Sequence, residues 1–197
     1  MNDRKELFKD IKKIVVKIGT SSLITKDGKF NREFANDIAR EVSKLKSKGK
    51  DVILVSSGAV GIGCEILDFK ERPQSIPLKQ ATAAVGQSLL MHEWSNVFEK
   101  HGLKVAQILL TYDAFSDRKT YLNLRNSMSS LLELGVIPII NENDPVCVHE
   151  IGETFGDNDT LSAMVSSKVE ADLLILMTDI DGLYTKNPKK AKDAIKI

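Results

Sequence analysis

Short apolar runs alternate with longer segments of helical spacing along most of this chain. The runs are rich in Val, Ile and Leu, which predicts buried strands over 14–18, 51–55, 105–110, 136–140 and 173–177. Between them, apolar residues recur every three or four positions, which predicts helices over 31–48, 77–102, 118–135 and 159–171. The alternation predicts an α/β fold: a three-layer αβα sandwich with a mainly parallel central sheet and right-handed crossovers.

Composition limits the classes of protein that the chain can belong to. Its 197 residues are 42% hydrophobic with a formal net charge of +1, which suits one core and gives no indication of nucleic-acid or anionic-membrane partners. Cys64 and Cys147 are too few for a disulfide scaffold and form no C-x-x-C pair. The first residues contain no signal-peptide core, and no later run reaches the length of a membrane span. We therefore expect one domain over 1–197 and a cytoplasmic location.

Polar clusters follow the predicted strands, on the side of a parallel sheet where ligands bind. Residues 141–144, Asn-Glu-Asn-Asp, come at the end of the fourth apolar run, and residues 156–159, Gly-Asp-Asn-Asp, open a helical pattern. Both clusters can face one cleft, the second through the amide groups of a helix start. Acids and amides that converge there predict a small, polar, amine-bearing ligand.

The first predicted strand carries a lysine in an otherwise apolar run. Lys17 lies one residue from the strand end, where a buried ammonium needs a partner or an anion. The alternative is an edge lysine that extends to water. Gly19 to Ser22, directly afterwards, offers backbone N–H groups and hydroxyls that can hold phosphate oxygens. Together these residues favour an anion site at the strand end.

Known nucleotide signatures are mostly missing. The chain has no Walker loop and no protein-kinase H-R-D or D-F-G set, so phosphoryl transfer would need another scaffold. The glycines at 58, 61 and 63 follow the second strand, with a spacing that reverses the dinucleotide motif, which disfavours an oxidoreductase. They predict instead a loop whose backbone approaches a ligand closely.

Several segments together are similar to one family. They are residues 15–23, 55–63, 79–87, 141–145, 156–161 and 176–185, and they resemble the glutamate 5-kinases of the amino-acid kinase fold. The resemblance implies transfer of the γ-phosphoryl group of ATP, with Mg2+ bound to the ATP, to the side-chain carboxylate of L-glutamate. This is the first step of proline biosynthesis. That carboxylate is ionised at neutral pH and needs no general base, so catalysis consists of aligning two anions and offsetting their charge.

The resemblance also implies residue roles. Lys17 would balance charge on the transferred group, and Asp159 would orient the catalytic lysines. The substrate would be held by Ser57, Asp144 and Asn158, and the nucleotide by Lys17, Gly19, Thr20, Ser21, Thr178 and Asp179. No residue is assigned to a metal. Locally, Asp144 also suits a turn before Pro145, and Asp159 also suits helix capping.

The similarity stops near Asn187 and Pro188. Family kinase domains continue there into further strands, a glycine-rich nucleotide loop and a second phosphate-contacting lysine, and many members carry a C-terminal RNA-binding-like domain. We therefore expect a C-terminally incomplete amino-acid kinase domain without that extra domain. The resemblance implies a homo-oligomer and proline as a feedback inhibitor. Two alternatives remain: a related kinase acting on acetylglutamate, aspartate, carbamate or a nucleoside monophosphate, and a non-catalytic amino-acid-binding module.

Overall fold

A parallel sheet with helices on both faces forms the fold. The computed structural model describes residues 6, 8–25, 27–147, 158–180, 182–188 and 191–197. Its strands are β1 (Lys13–Ile18), β2 (Asp51–Ser56), β3 (Val105–Leu110), β4 (Ile137–Glu142) and β5 (Leu173–Met177). Its helices are α1 (Thr20–Leu23), α2 (Arg32–Ser47), α3 (Ala59–Ile66), α4 (Ile76–Glu99), α5 (Arg118–Glu133) and α6 (Asn158–Lys168). The sheet has the order β3-β4-β2-β1-β5, with every pairing parallel.

Alternate residues of the strands pack on opposite faces of the sheet. Ile14, Val16 and Ile18 of β1 join a core with residues of α2, α3 and α4, whereas Val15 joins a second core with residues of α5 and α6. Each central strand is therefore apolar on both sides, which explains its continuous apolar run. The three-layer α/β prediction is confirmed. Among the described residues, no helix has the length and apolar character needed to cross a bilayer.

The segment after β2 differs from the prediction. Residues 59–66 form α3 instead of a loop, and Gly58 precedes this helix with a φ of 113°, a backbone conformation that favours glycine. A Cβ on Gly63 would lie 1.9 Å from the carbonyl oxygen of Thr82, and one on Gly86 would lie 1.9 Å from that of Ala59. The prediction that these glycines form a ligand loop is wrong for Gly63, because its missing side chain lets α3 and α4 pack backbone to backbone.

The amino ends of β1 and β5 are joined by one carboxylate. Asp172 Oδ2 accepts hydrogen bonds from the backbone N–H groups of Lys12 and Lys13, at 2.7 and 2.8 Å. The hydrogen bond from Lys13 has the largest effect, followed by the one from Lys12, and both hold the pKa of Asp172 below its ordinary value. Asp172 thereby fixes the start of the strand that carries Lys17.

We predict that Asp172→Ala lowers the free energy of unfolding at neutral pH and that this difference shrinks in acid. A carboxylate whose folded pKa is depressed stabilises the fold above its unfolded pKa, and this contribution is lost as the pH falls through the folded pKa. Urea unfolding of both proteins between about pH 7 and about pH 2 would measure it. Asp10→Ala, at an exposed acid of the preceding turn, is the control. If Asp172→Ala lowered the free energy of unfolding by the same amount at every pH, the prediction would be wrong.

Candidate functional site

A cavity of about 270 Å³ opens at the carboxyl edge of the sheet. The polar residues on its sheet side come from α1, the exits of β2 and β4, and the start of α6: Thr20, Ser57, Asn141, Glu142, Asp144 and Asn158. Arg72, from the loop before α4, and Lys79, from the first turn of α4, complete its charged lining among the described residues. The cavity thus occupies the position where parallel α/β sheets bind ligands.

The three residues predicted to hold the substrate all line this cavity. Asn158 connects the elements that carry them, because its Nδ2 lies 2.8 Å from Ser57 Oγ, 3.1 Å from the carbonyl oxygen of Ser56 and 2.9 Å from Asn141 Oδ1. Its own Oδ1 is buried and has no hydrogen-bond partner among the described residues. A buried carbonyl oxygen in this state favours a ligand that brings a hydrogen-bond donor.

Two buried carboxylates line the same cavity. Glu142 is 3% exposed and Asp144 is 7% exposed. Cys147 Sγ donates to Glu142 Oε1 at 2.8 Å. Burial above all, and then this hydrogen bond, raise the pKa of the Cys147 thiol to about 12, so the thiol stays protonated and unreactive at neutral pH. Two carboxylates on one wall of the cavity give that wall negative charge, which suits an amine-bearing ligand.

Lys17 pairs with Asp159 beside the cavity. The Lys17 Nζ to Asp159 Oδ1 distance is 2.5 Å, with 12% of the lysine side chain and 49% of the aspartate side chain exposed. Because β1 lies between β2 and β5, Lys17 is on an inner strand, and the alternative of an edge lysine is wrong. The structure therefore brings together the two residues that sequence similarity assigned to catalysis.

The predicted phosphate loop begins a short helix instead of remaining a loop. Gly19 precedes α1, Thr20 lines the cavity and Ser21 is exposed. A Cβ on Gly19 would lie 3.5 Å from Lys17 Nζ and 3.5 Å from the carbonyl oxygen of Met177. The start of α1 is thus adjacent to the Lys17 amine and to the exit of β5.

Thr178 and Asp179 follow β5 directly and are exposed. They do not line the cavity. Since β5 pairs with β1 up to Met177 and Ile18, they lie at the same sheet edge as Gly19. The predicted residues therefore form two adjacent groups, the cavity group and a group around Lys17, with Thr20 between them. Gly156 and Asp157, which open the second sequence cluster, lie outside the described residues.

Some lining residues received no role from the sequence. Glu142 and Asn141 were part of a recognised polar cluster, and Lys79 opened a family-like segment, but no sequence pattern indicated Arg72. Trp94 is fully buried, and its Nε1 donates at 3.0 Å to the Oγ of Ser56, the residue before Ser57 of the cavity lining. Trp94 is also the chain's single tryptophan, so its fluorescence can report on the adjacent cavity.

Comparisons with known proteins show consistent similarity. The sequence pattern described as "Amino acid kinase family" matches residues 12–197. A protein of Methanococcoides burtonii named "Glutamate 5-kinase" is 65% identical over 195 residues, which are 99% of this chain and 52% of that protein. Its namesake from Methanosarcina mazei is 57% identical, over 98% of this chain and 52% of the relative. The namesake from Clostridium acetobutylicum is 48% identical, over 100% of this chain and 73% of the relative.

The chain spans about half the length of the first two of these relatives. Among solved structures, an isopentenyl phosphate kinase superposes with a TM-score of 0.58 at 20% identity, covering 93% of this chain and 78% of that one. At this identity the likeness concerns the fold alone.

Proposed function

The chain belongs to the amino acid kinase family, among the glutamate 5-kinases, and from this premise we propose that it binds L-glutamate for phosphorylation by ATP. The product would be glutamyl 5-phosphate, formed in the first step of proline biosynthesis. The observation that carries the proposal is the position of two consecutive residues: Asn158 ties the cavity together, and Asp159 holds Lys17. A substrate pocket and a charged reaction centre thus meet at the start of α6.

The reaction centre acts through charge and position. The side-chain carboxylate of glutamate attacks the γ-phosphorus while the bond to the ADP oxygen breaks, and both partners are anionic. Lys17 offsets this charge, and the carboxylate of Asp159 holds its ammonium in place. The carboxylate needs no deprotonation, so the step requires no general base.

The pocket holds the amino-acid end of the substrate. The ammonium group of glutamate faces the carboxylate of Asp144 and the amide oxygen of Asn158, and Ser57 adds a hydroxyl. The buried, unpartnered Oδ1 of Asn158 and the buried Asp144 support this orientation. It directs the side-chain carboxylate towards Thr20 and Lys17.

The nucleotide binds next to this pocket, at the edge formed by Gly19, Thr20 and Ser21 and by Thr178 and Asp179. The proximity of Gly19 to Lys17 and to the exit of β5 supports that assignment. Among the described residues, no group of three or more His, Cys, Asp or Glu side chains is arranged to hold a metal. Mg2+ is commonly held by substrate phosphates and water, so it would arrive with ATP and neutralise phosphate charge.

We predict that the 197-residue chain binds L-glutamate, as measured by calorimetry or Trp94 fluorescence. A form with the length of its relatives should also make glutamyl hydroxamate from glutamate, ATP and hydroxylamine. Tighter binding of aspartate or acetylglutamate would favour a related kinase. Glutamate binding without hydroxamate formation in the longer form would indicate a binding module.

Two partner assignments belong to the same proposal. Proline acts as a feedback inhibitor, and the protein forms a homo-oligomer. Hydroxamate formation at increasing proline concentration tests the inhibition. Light scattering after size-exclusion chromatography tests the oligomeric state. A monomer whose activity does not respond to proline would contradict both.

A further inference from the structure

One charge of the substrate has no assigned partner in the proposed function, on which this inference rests. Glutamate bound through its ammonium group and reacting through its side chain still carries the α-carboxylate. A carboxylate that loses water on binding requires a compensating cation or hydrogen bonds. The pocket must therefore supply positive charge as well as negative charge.

The cavity contains both signs of charge on different elements. Glu142 and Asp144 are supplied by β4 and the turn that follows it, whereas Arg72 and Lys79 are supplied by the segment between α3 and the first turn of α4. All four line the same space of about 270 Å³. A cavity with acids from one source and cations from another is complementary to a zwitterion, and not to a simple amine.

The start of α4 is fixed against the acidic side. Gln80 Nε2 donates to the carbonyl oxygen of Cys147 at 3.1 Å, which ties this turn of the helix to the exit of β4. Lys79 closes the first turn through its N–H bond to the Ser75 carbonyl oxygen, at 3.0 Å. An anion beside this turn would meet the Lys79 charge and the favourable end of a 24-residue helix.

Arg72 approaches the cavity from the loop before α4. Burial raises the pKa of the Cys64 thiol on α3, and the positive charge of the nearby Arg72 offsets part of that rise. Gln74 Nε2 donates to the carbonyl oxygen of Arg72 at 3.0 Å and supports the bend of this loop. A planar guanidinium can bind a carboxylate through two parallel hydrogen bonds.

We infer that Arg72 and Lys79 form the subsite for the substrate's α-carboxylate and thereby select α-amino acids over other amines. L-isoglutamine tests this, because it keeps the ammonium group and the side-chain carboxylate of glutamate and replaces only the α-carboxylate by a neutral amide. The unsubstituted chain should bind glutamate more tightly than isoglutamine, by about tenfold or more for a lost charge-assisted bond.

The matched variants are Arg72→Gln, Lys79→Gln and the control Lys70→Gln, which removes a lysine of the same loop that does not line the cavity. In Arg72→Gln and Lys79→Gln, the Kd for glutamate should rise about tenfold while that for isoglutamine stays within about twofold, so the preference is lost. Arg72→Lys, which keeps the positive charge, should retain part of the preference for glutamate over isoglutamine. Lys70→Gln should bind both ligands as the unsubstituted chain does.

The outcomes separate this inference from the proposed function. Retention of the full preference for glutamate in both Arg72→Gln and Lys79→Gln would overturn the subsite while leaving glutamate binding established. Equal weakening of both ligands would also overturn it, because a general distortion of the loop affects the two alike. No glutamate binding by the unsubstituted chain would overturn the proposed function and the subsite with it.

Discussion

Replacing Lys17 by Met should lower kcat by about 10²–10³, or about 3–4 kcal/mol of transition-state stabilisation, in a form with the length of the relatives. The ammonium lies on an inner strand, 2.5 Å from Asp159, and Met keeps the apolar stem while removing the charge. The pair is partly exposed, so its contribution to folding is small. The loss should therefore appear in turnover, measured by hydroxamate formation, and not in the urea midpoint.

Lys13→Met is the matched control for this experiment. Lys13 lies at the opposite end of the same strand, and its Nζ donates to the carbonyl oxygen of Val169 at 2.7 Å, away from the carboxyl edge of the sheet. The Lys13→Met variant should therefore retain the kcat of the unsubstituted protein. Asp159→Asn should give an intermediate loss, since it weakens the hold on Lys17 without removing the ammonium. If Lys17→Met kept more than about half of the activity, the assignment of Lys17 would be wrong, because one preorganised charge contact contributes far more.

Asp144→Ala and Asn158→Ala should each raise the KM for glutamate by about 10- to 100-fold and leave the KM for ATP nearly unchanged. Each substitution removes a proposed contact to the amino-acid end of the substrate, and a hydrogen bond to a charged group is worth about 1.5–3 kcal/mol. Initial rates at varied glutamate and varied ATP measure the two effects separately.

Asp144→Asn separates charge from shape at this position. If the carboxylate of Asp144 binds the ammonium group, Asp144→Asn should raise the KM for glutamate nearly as much as Asp144→Ala does, even though Asn has almost the same size as Asp. For Asn158, a thermal unfolding curve is needed as well, because its amide also joins Ser57, Ser56 and Asn141. Equal rises in both KM values would indicate collapse of the cleft and count against the assigned roles.

Local pattern determined the layers of this protein. The runs of β1, β2 and β4 became inner strands, because a strand buried on both faces must be apolar at nearly every position, a property that neighbouring residues encode. The run of β5 was predicted to be buried, but β5 lies at the edge of the sheet, and Ile175 and Leu176 are exposed. Residues 105–110 and 173–177 were predicted with the bounds that the structure has. Residues 59–66 were predicted as a loop but form α3. Glycines at helix contacts and glycines in loops have the same local pattern, and only the packing of α3 on α4 distinguishes them.

The sequence by itself determined the α/β sheet and the need of Lys17 for a partner, and it predicted that ligands bind at the carboxyl edge of the sheet. It also supplied the similarity that connects Ser57, Asp144 and Asn158. Only the tertiary structure decided which side chains meet. Asn158 contacts Ser57, which is 101 residues away in the chain, and Arg72 and Glu142 line the same cavity. The reason is that periodicity records which face of an element is buried, whereas partners are fixed by strand order and helix packing, which no local pattern contains.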